Sequence, residues 1–412
     1  MKRRVVITGL GTINPLGNNT SDTWQAVLNN QHGINIIKRY TPEEKAIKIA
    51  AEIKDFDFEA FFGPKLMKRY DRFIQVALVA TKEAMEDSGL DVSSLDATTI
   101  GVYYGSGIGG LESIAAQERK GLESGFNRIS PFFIPMAIIN LAAGNIAIEY
   151  GIKGPALAHV TACASATNSI GEAFRAIKDG YIDRAIAGGS EAAITPLGIG
   201  GFQVMHALHA GDDIDHASTP FDLNRSGFVM GEGGATLILE ELELAQARGA
   251  KIYAEIVGYG QSCDASHITA PDPLGEGAVS SMRQAVTESG HDLHDVDYIN
   301  AHGTSTPLND KTETLAIKRL FEDHAYKLKV SSTKSMTGHL LGASGAVEAL
   351  ITTLALQNGF IPATVNYQTK DPECDLDIVP NQGRHEDIDL AISNSLGFGG
   401  HNATIALKKW RD

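Results

Sequence analysis

Val160-Thr-Ala-Cys163-Ala-Ser-Ala-Thr-Asn-Ser169 leads into Glu172-Ala173 and then Gly180-Tyr-Ile182. The same order of features returns later: Val330 through His339 leads into Glu348-Ala349 and then Gly359-Phe-Ile361. Each copy reads as a strand, a polar turn and a helix that stops at glycine, the residue favoured by a left-handed C-cap. A second pair of blocks precedes these. Glu83-Ala-Met-Glu-Asp-Ser-Gly89 is followed by Asp96 and the run Ile100–Tyr104, as Gln284-Ala-Val-Thr-Glu-Ser-Gly290 is followed by Asp297 and Tyr298–Asn300. Helix-glycine-strand units look alike in any α/β protein, but two matched blocks in the same order favour an internal duplication. The join falls near Gly249, after a helix over Glu241–Arg248, and divides the chain into halves of 1–250 and 251–412. The repeat gives Cys163 and His339 equivalent places, one per half.

Outward from these blocks, short β-branched runs alternate with longer helical stretches, the pattern of an α/β fold. Further strands are predicted at Arg4–Thr8, Arg184–Ala187, Ala235–Leu239, Lys329–Ser331, Leu390–Ser393 and Ala403–Leu407, and helices at Arg69–Ser88, Ala166–Asp179, Glu276–Ser289, Thr312–Phe321 and Ala343–Asn358. A chain of 412 residues exceeds one small core, and a hydrophobic fraction of 43% is that of a globular protein. Lys plus Arg is 35 against 50 for Asp plus Glu, so a net charge of −15 disfavours nucleic acid and anionic membranes. No stretch is long and apolar enough to span a bilayer. Lys2, Arg3 and Arg4 precede only Val5–Ile7, too short for a signal-peptide core. Three scattered cysteines (Cys163, Cys263, Cys374) form no disulfide framework, and the expected setting is a reducing cytoplasm.

Cys163 sits where a strand feeds a turn of small residues and a helix begins. A thiol at a helix N-terminus feels the positive end of the dipole, which favours thiolate. A buried core cysteine is the plain alternative, but the strand-to-helix context favours the nucleophile; Cys263 and Cys374 lack it and are expected to be structural. His302 follows a predicted strand in Asn300-Ala-His302-Gly-Thr-Ser-Thr306. His339 lies between a strand and a helix in Ser332-Thr-Lys334-Ser-Met-Thr-Gly-His339. A lone loop histidine is usually a surface or packing residue. Two at strand ends, flanked by glycine and hydroxyl residues, suit donation to an oxyanion or a proton shuttle. Lys334 and Glu348 flank His339, either as a pair that orders this network or as an exposed ion pair of little worth.

Gly105-Ser-Gly-Ile-Gly-Gly110 formally matches a dinucleotide fingerprint, but Glu112–Ser124 reads as helix and loop, so no second strand supplies the ribose-binding acid. Gly9-Leu-Gly11 fails at the third glycine. Ser393-Asn-Ser-Leu-Gly397-Phe398-Gly-Gly-His401-Asn-Ala403 joins two strands, as a plain hairpin turn or as a mobile loop presenting N–H groups and one aromatic ring. No metal is expected: His206 and His209 are three apart but belong to no zinc or calcium motif, and Cys163, His302 and His339 as a zinc set stay a minor alternative. Lys65, Lys68, Arg69 and Arg72 have the spacing of one helix face, which is either solvated or a docking patch for an acidic partner.

Together, Thr161-Ala-Cys163-Ala-Ser, Asn300-Ala-His-Gly-Thr-Ser-Thr306, Ser332-Thr-Lys-Ser-Met-Thr-Gly-His339 and Asn394-Ser-Leu-Gly-Phe-Gly-Gly-His-Asn402 resemble the signature blocks of the β-ketoacyl-(acyl carrier protein) synthases with a Cys-His-His triad. The blocks stand in the family's order over nearly the whole chain, and Arg225-Ser-Gly-Phe-Val-Met-Gly-Glu-Gly-Gly234 is a further typical stretch. Ile108 and Ser130-Pro-Phe-Phe-Ile-Pro135 look like the elongating KAS II type. The resemblance implies a thiolase-like αβαβα sandwich of two similar βαβαβαββ halves, a homodimer, and condensation of acyl carrier protein thioesters with malonyl thioesters in fatty-acid elongation, with no metal or redox cofactor. It implies that Cys163 is acylated, that His302 and His339 promote malonyl decarboxylation, and that Lys334 and Glu348 order His339. It implies that the Cys163 and Phe398 amides form an oxyanion hole, with Phe398 as a gate. Ile108 and Phe202, with Phe133 from a second subunit, would line the acyl pocket, and Thr304 and Thr306 would meet the pantetheine arm. Lys65, Lys68, Arg69 and Arg128 would meet the carrier protein. His206 departs from the family, where Arg is common, and puts that contact in doubt. A degradative thiolase would carry a second cysteine in the C-terminal glycine loop, a priming KAS III enzyme asparagine in place of His339, and a non-catalytic subunit no Cys163.

Overall fold

In the computed structural model, which describes residues 3–411 and so leaves Lys2 outside, one series of elements occurs twice. The first series is β1 (Val5–Ile13), α1 (Arg72–Ser88), β2 (Ile100–Gly105), α2 (Leu141–Tyr150), β3 (Ala156–Leu157), α3 (Ser165–Lys178), β4 (Arg184–Glu191) and β5 (Gly233–Glu241). The second is β6 (Ala254–Cys263), α4 (Glu276–Ser289), β7 (Tyr298–Asn300), α5 (Pro307–Phe321), β8 (Lys329–Ser331), α6 (Ser344–Asn358), β9 (Leu390–Gly397) and β10 (His401–Lys409). Strand order is β8-β7-β9-β10-β6-β1-β5-β4-β2-β3. Outward from the central seam, each side therefore runs first, fifth, fourth, second, third strand of its series.

The pairing directions repeat as well. β1–β5 and β5–β4 are antiparallel while β4–β2 and β2–β3 are parallel. The set β6–β10, β10–β9, β9–β7 and β7–β8 follows the same rule. The seam is a short antiparallel contact of Val5, Val6 and Ile7 with Ile256, Glu255 and Ala254. Helices α3 and α6 pack on each other and on strands of both series, α1 and α2 cover one outer face, and α4 and α5 cover the other. The layers are helix, sheet, helix, sheet, helix.

Sequence explains these positions. In α6 every residue from Ser344 to Leu356 is buried, as a helix enclosed between two sheets requires. By contrast α1 buries Phe73, Ile74, Ala77 and Leu78 and turns Lys82 and Glu86 to solvent. Glycines in the first strand of each series let its helix approach. A Cβ at Gly9 or Gly11 would lie 2.4 or 2.1 Å from the Ala84 or Ala80 carbonyl oxygen. At Gly258 or Gly260 it would lie 2.0 or 1.9 Å from that of Ala285 or Ser281. Gly9-Leu-Gly11 is thus a packing device, repeated as Gly258-Tyr-Gly260.

Several expectations are corrected. β6 was not predicted, because glycines and polar residues hide its pattern. No strand runs directly into Cys163: β3 ends at Leu157. The helix predicted from Arg69 starts at Arg72, where the Asp71 carboxylate accepts the Phe73 N–H at 3.2 Å and caps a new helix. Before it lies a separate helix, Phe58–Met67, broken at Gly63 (φ 71°). Lys65, Lys68, Arg69 and Arg72 therefore do not share one face. Arg72 turns inward and holds Glu232 through bonds of 2.7 and 2.8 Å.

Candidate active site

The connections that leave the strands bring Cys163, His302 and His339 together, with donor atoms within 4.8 Å of one another. Cys163 occupies a 3₁₀ turn, Ala162–Ala164, that runs straight into α3. The same turn, Leu341–Ala343, opens α6, and both begin at a positive φ (Ala162 49°, Leu341 50°). By this match the counterpart of Cys163 is Gly342, not His339 as the sequence repeat suggests. An extra helical turn, Lys334–Thr337, precedes His339 and displaces the register.

The thiol also differs from expectation. Burial pushes Cys163 up to about 12, against the opposing pull of the Lys334 charge and of the Phe398 backbone N–H, which points at the sulfur. Burial thus favours the thiol over the thiolate, and the thiol proton leaves as the sulfur attacks. Burial, the Lys334 charge and His339 push His302 well below the ordinary histidine range, and burial with Lys334 does the same to His339. Both rings are neutral at neutral pH. The Leu341 N–H approaches Nδ1 of His339 at 3.2 Å, with Ser344 Oγ at 2.9 Å. A backbone amide can only donate, so Nδ1 accepts and the ring proton sits on Nε2, available as a donor. The rings of His302 and His339 stand 5.3 Å apart, nearly perpendicular, and Phe228 packs against His339 at 5.0 Å.

The supporting shell is largely carboxylate. Lys334 and Glu348, 1% and 2% exposed, form a buried ion pair, not an exposed one. Glu313 and Asp310, one turn apart on α5, belong to this site as well, although no motif marks them in the sequence. Glu313 accepts the N–H groups of His302 and Gly303 at 2.8 Å each, and Asp310 accepts those of Thr304 and Ser305 at 3.0 and 3.1 Å. Burial pushes Glu313 up to about 7. Their signal was the acid spacing on the helix directly after the His302 block. Cys163, His302 and His339 could also present three ligands to a metal ion, but the Lys334 ammonium opposes a further cation beside them as it opposes protonation of the histidines.

A cavity of 340 Å³ opens onto this group, lined also by Phe398, Phe202, Thr304, Thr306 and His206. Phe398 heads the loop between β9 and β10 and faces Phe202, with ring centroids 6.2 Å apart. Gly397 is pressed against the nucleophile turn: a Cβ there would lie 3.1 Å from the Cys163 nitrogen. Ile108 packs behind the cavity with Phe202, Phe228 and Leu341. Phe133 does not reach this cavity and sits on the surface helix Phe133–Ala137. Exposed Cys263 ends β6, its sulfur 3.6 Å from the Gly399 carbonyl, so it is not a core residue. Cys374 is buried. Lys65, Lys68 and Arg128 are exposed, and Arg69 lies over the Phe132 ring at 4.9 Å.

Comparison with known proteins decides the family. The N-terminal β-ketoacyl synthase domain matches residues 2–245 and the C-terminal domain residues 253–368. The chain belongs to the β-ketoacyl synthase family. The synthase is 52% identical over 411 residues to a 3-oxoacyl-[acyl-carrier-protein] synthase 2 of Synechocystis sp., covering 100% of this chain and 99% of the relative. A β-ketoacyl synthase from Burkholderia phymatum superposes with a TM-score of 0.92 at 33% identity over the full length of both chains. A type II polyketide ketosynthase, solved with its acyl-carrier protein, gives 0.91 at 32% identity, again over both full chains. These likenesses give the synthase the thiolase-like fold of a condensing enzyme. The glycine-rich loop Gly105–Gly110 does not form an open phosphate cradle, because the N–H groups of Gly107, Ile108 and Gly109 bond Glu191 within the protein.

Proposed function

We propose that this synthase elongates acyl chains by condensing an acyl thioester with a malonyl thioester, both presented by acyl carrier protein. The observation that carries the reading is the buried thiol facing two neutral imidazoles, one with its Nε2 proton fixed. In the first half-reaction the Cys163 sulfur attacks the acyl carbonyl. The carrier C–S bond breaks, an acyl–Cys163 bond forms, and the thiol proton ends on the carrier sulfur. The Cys163 and Phe398 amides suit an oxyanion there. In the second, malonyl thioester loses CO₂, and the freed electron pair becomes an enolate whose oxygen takes hydrogen bonds from His302 and His339. The enolate carbon attacks acyl-Cys163, the acyl–sulfur bond breaks, and the released Cys163 sulfur takes up a proton from solvent. Lys334 and Glu348 would hold His339, Thr304 and Thr306 the pantetheine arm, and Ile108 and Phe202 the acyl chain.

We read 1–250 and 251–412 as the two halves, a division supported by the repeated strand order. A homodimer is supported by the edge strand β3, both of whose residues are exposed, beside exposed Ile148 (77%) and Val160 (52%). Phe133 from the second subunit would complete the acyl pocket. A cytoplasmic setting is consistent with unpaired cysteines and with the lack, among the described residues, of a helix long and apolar enough to cross a membrane.

Lys65, Lys68, Arg69 and Arg128 are proposed to receive the acidic carrier. Among the described residues none of them has an ion-pair partner, and Arg69 over Phe132 draws the two segments together. Reversing the charges of Lys65 and Lys68 is expected to lower kcat/KM for acyl carrier protein about tenfold and to flatten its salt dependence, with small acyl thioesters unaffected. Steady-state kinetics on both substrates at two ionic strengths checks this. Equal losses on both would remove the docking assignment.

A further inference from the structure

Glu191 ends β4 fully buried, with no cationic partner among the described residues. Its two oxygens take five donors instead: the Ser106 hydroxyl at 2.9 Å and the N–H groups of Gly107 (2.7 Å), Ile108 (3.1 Å), Gly109 (3.2 Å) and Gly342 (3.0 Å). Four belong to the loop after β2. The fifth belongs to the turn that follows His339 and leads to Ser344. An ionised carboxylate, which accepts at both oxygens, satisfies all five at once, against the burial that pushes its pKa up. Side chains are excluded so that the two loops can meet. A Cβ at Gly342 would lie 2.2 Å from the Gly107 nitrogen and 2.7 Å from Glu191 Oε2. One at Gly107 would lie 2.9 Å from Oε2 and 3.3 Å from the carbonyl of Ala162, the residue before the nucleophile.

We propose that Glu191 is a positioning residue for acyl-chain selection: it fixes the backbone that carries Ile108 and ties that wall of the acyl pocket to the turn behind His339. The proposal rests on the reading of Ile108 as an acyl-pocket residue. Glu191→Gln places an amide among donors that all need an acceptor, so the Ile108 loop must shift.

The test is the ratio of acylation efficiencies for hexanoyl and myristoyl carrier protein, with the thermal midpoint measured on the same samples. Glu191→Gln is expected to change that ratio about tenfold, since one buried donor loses its acceptor. Ser106→Ala, which removes one donor and leaves the carboxylate, is expected to shift it in the same direction by less. A merely structural role would lower the midpoint and both efficiencies together, and a ratio unchanged in either folded variant overturns the proposal. Should Glu191→Gln fail to fold, Ser106→Ala alone decides. Ile108→Phe separates the two readings. If it leaves the ratio unchanged, the pocket assignment falls and the proposal with it. If it shifts the ratio and Glu191→Gln does not, only the role of Glu191 falls.

Discussion

His339→Ala is expected to slow malonyl decarboxylation by about 10²–10³, the usual loss for one preorganised oxyanion donor, and to leave acylation of Cys163 largely intact. The reason is geometric. The Leu341 N–H occupies Nδ1 of His339, so the ring offers Nε2–H, and burial keeps the ring neutral. Such a donor needs no reorganisation when charge develops on the enolate oxygen. Acylation uses other parts: the sulfur, the adjoining amides and the turn into α3, none of which is removed. Cys163→Ala is expected to show the opposite pattern, with acyl transfer and condensation lost and decarboxylation retained in part. Release of labelled CO₂ reads one half-reaction and intact mass the other. Decarboxylation at the normal rate in His339→Ala, or β-ketoacyl product from Cys163→Ala, would contradict this division of labour.

Lys334→Ala is expected to destabilise the fold by about 3–5 kcal/mol, the cost of leaving one member of a buried ion pair alone. Both members are nearly inaccessible; the ammonium bonds Glu348 Oε1, and Oε2 has no hydrogen-bond partner. Without the ammonium, burial raises the Glu348 pKa further, because desolvation is already the leading influence on it. Below the unfolded carboxylate value the group is protonated in both states and carries no penalty; as pH rises from there through the raised folded value, folding must first take up a proton and then bury a bare carboxylate. The loss is therefore larger at high pH. The double variant Lys334→Met, Glu348→Leu is expected to recover most of it, since an apolar pair of similar bulk strands no charge. Urea denaturation of the unaltered protein, Lys334→Met, Glu348→Leu and the double variant measures this, with Lys334→Ala alongside. Strictly additive losses would show that the two residues do not act as a pair.

The repeat of helix, glycine and strand was legible because it is local: helices stop at Gly89, Gly290 and Gly359 in the left-handed conformation that glycine tolerates. Cys163, His302 and His339 were legible for a similar reason, each lying in its own short motif in a connection that follows a strand. What failed depended on distance or on burial. Glu191 meets its donors 82 to 151 residues away, and no spacing rule reaches that far. For Cys163 the helix N-terminus is visible in sequence, whereas the desolvation that pushes its thiol up is not. The basic stripe Lys65–Arg72 kept its periodicity across two helices, although Gly63 and the capping Asp71 were both in view. The pairing of Cys163 with His339 slipped because the turn Lys334–Thr337 exists in one half only.

In this scheme Cys163 carries the growing chain. Intact mass and peptide mapping of the synthase after mixing with acyl carrier protein are expected to show one acyl adduct per chain on the Cys163 peptide, discharged as β-ketoacyl product when malonyl carrier protein is added. Product formed with no adduct at Cys163, or an adduct on Cys263 or Cys374 that malonyl carrier protein discharges, would contradict it.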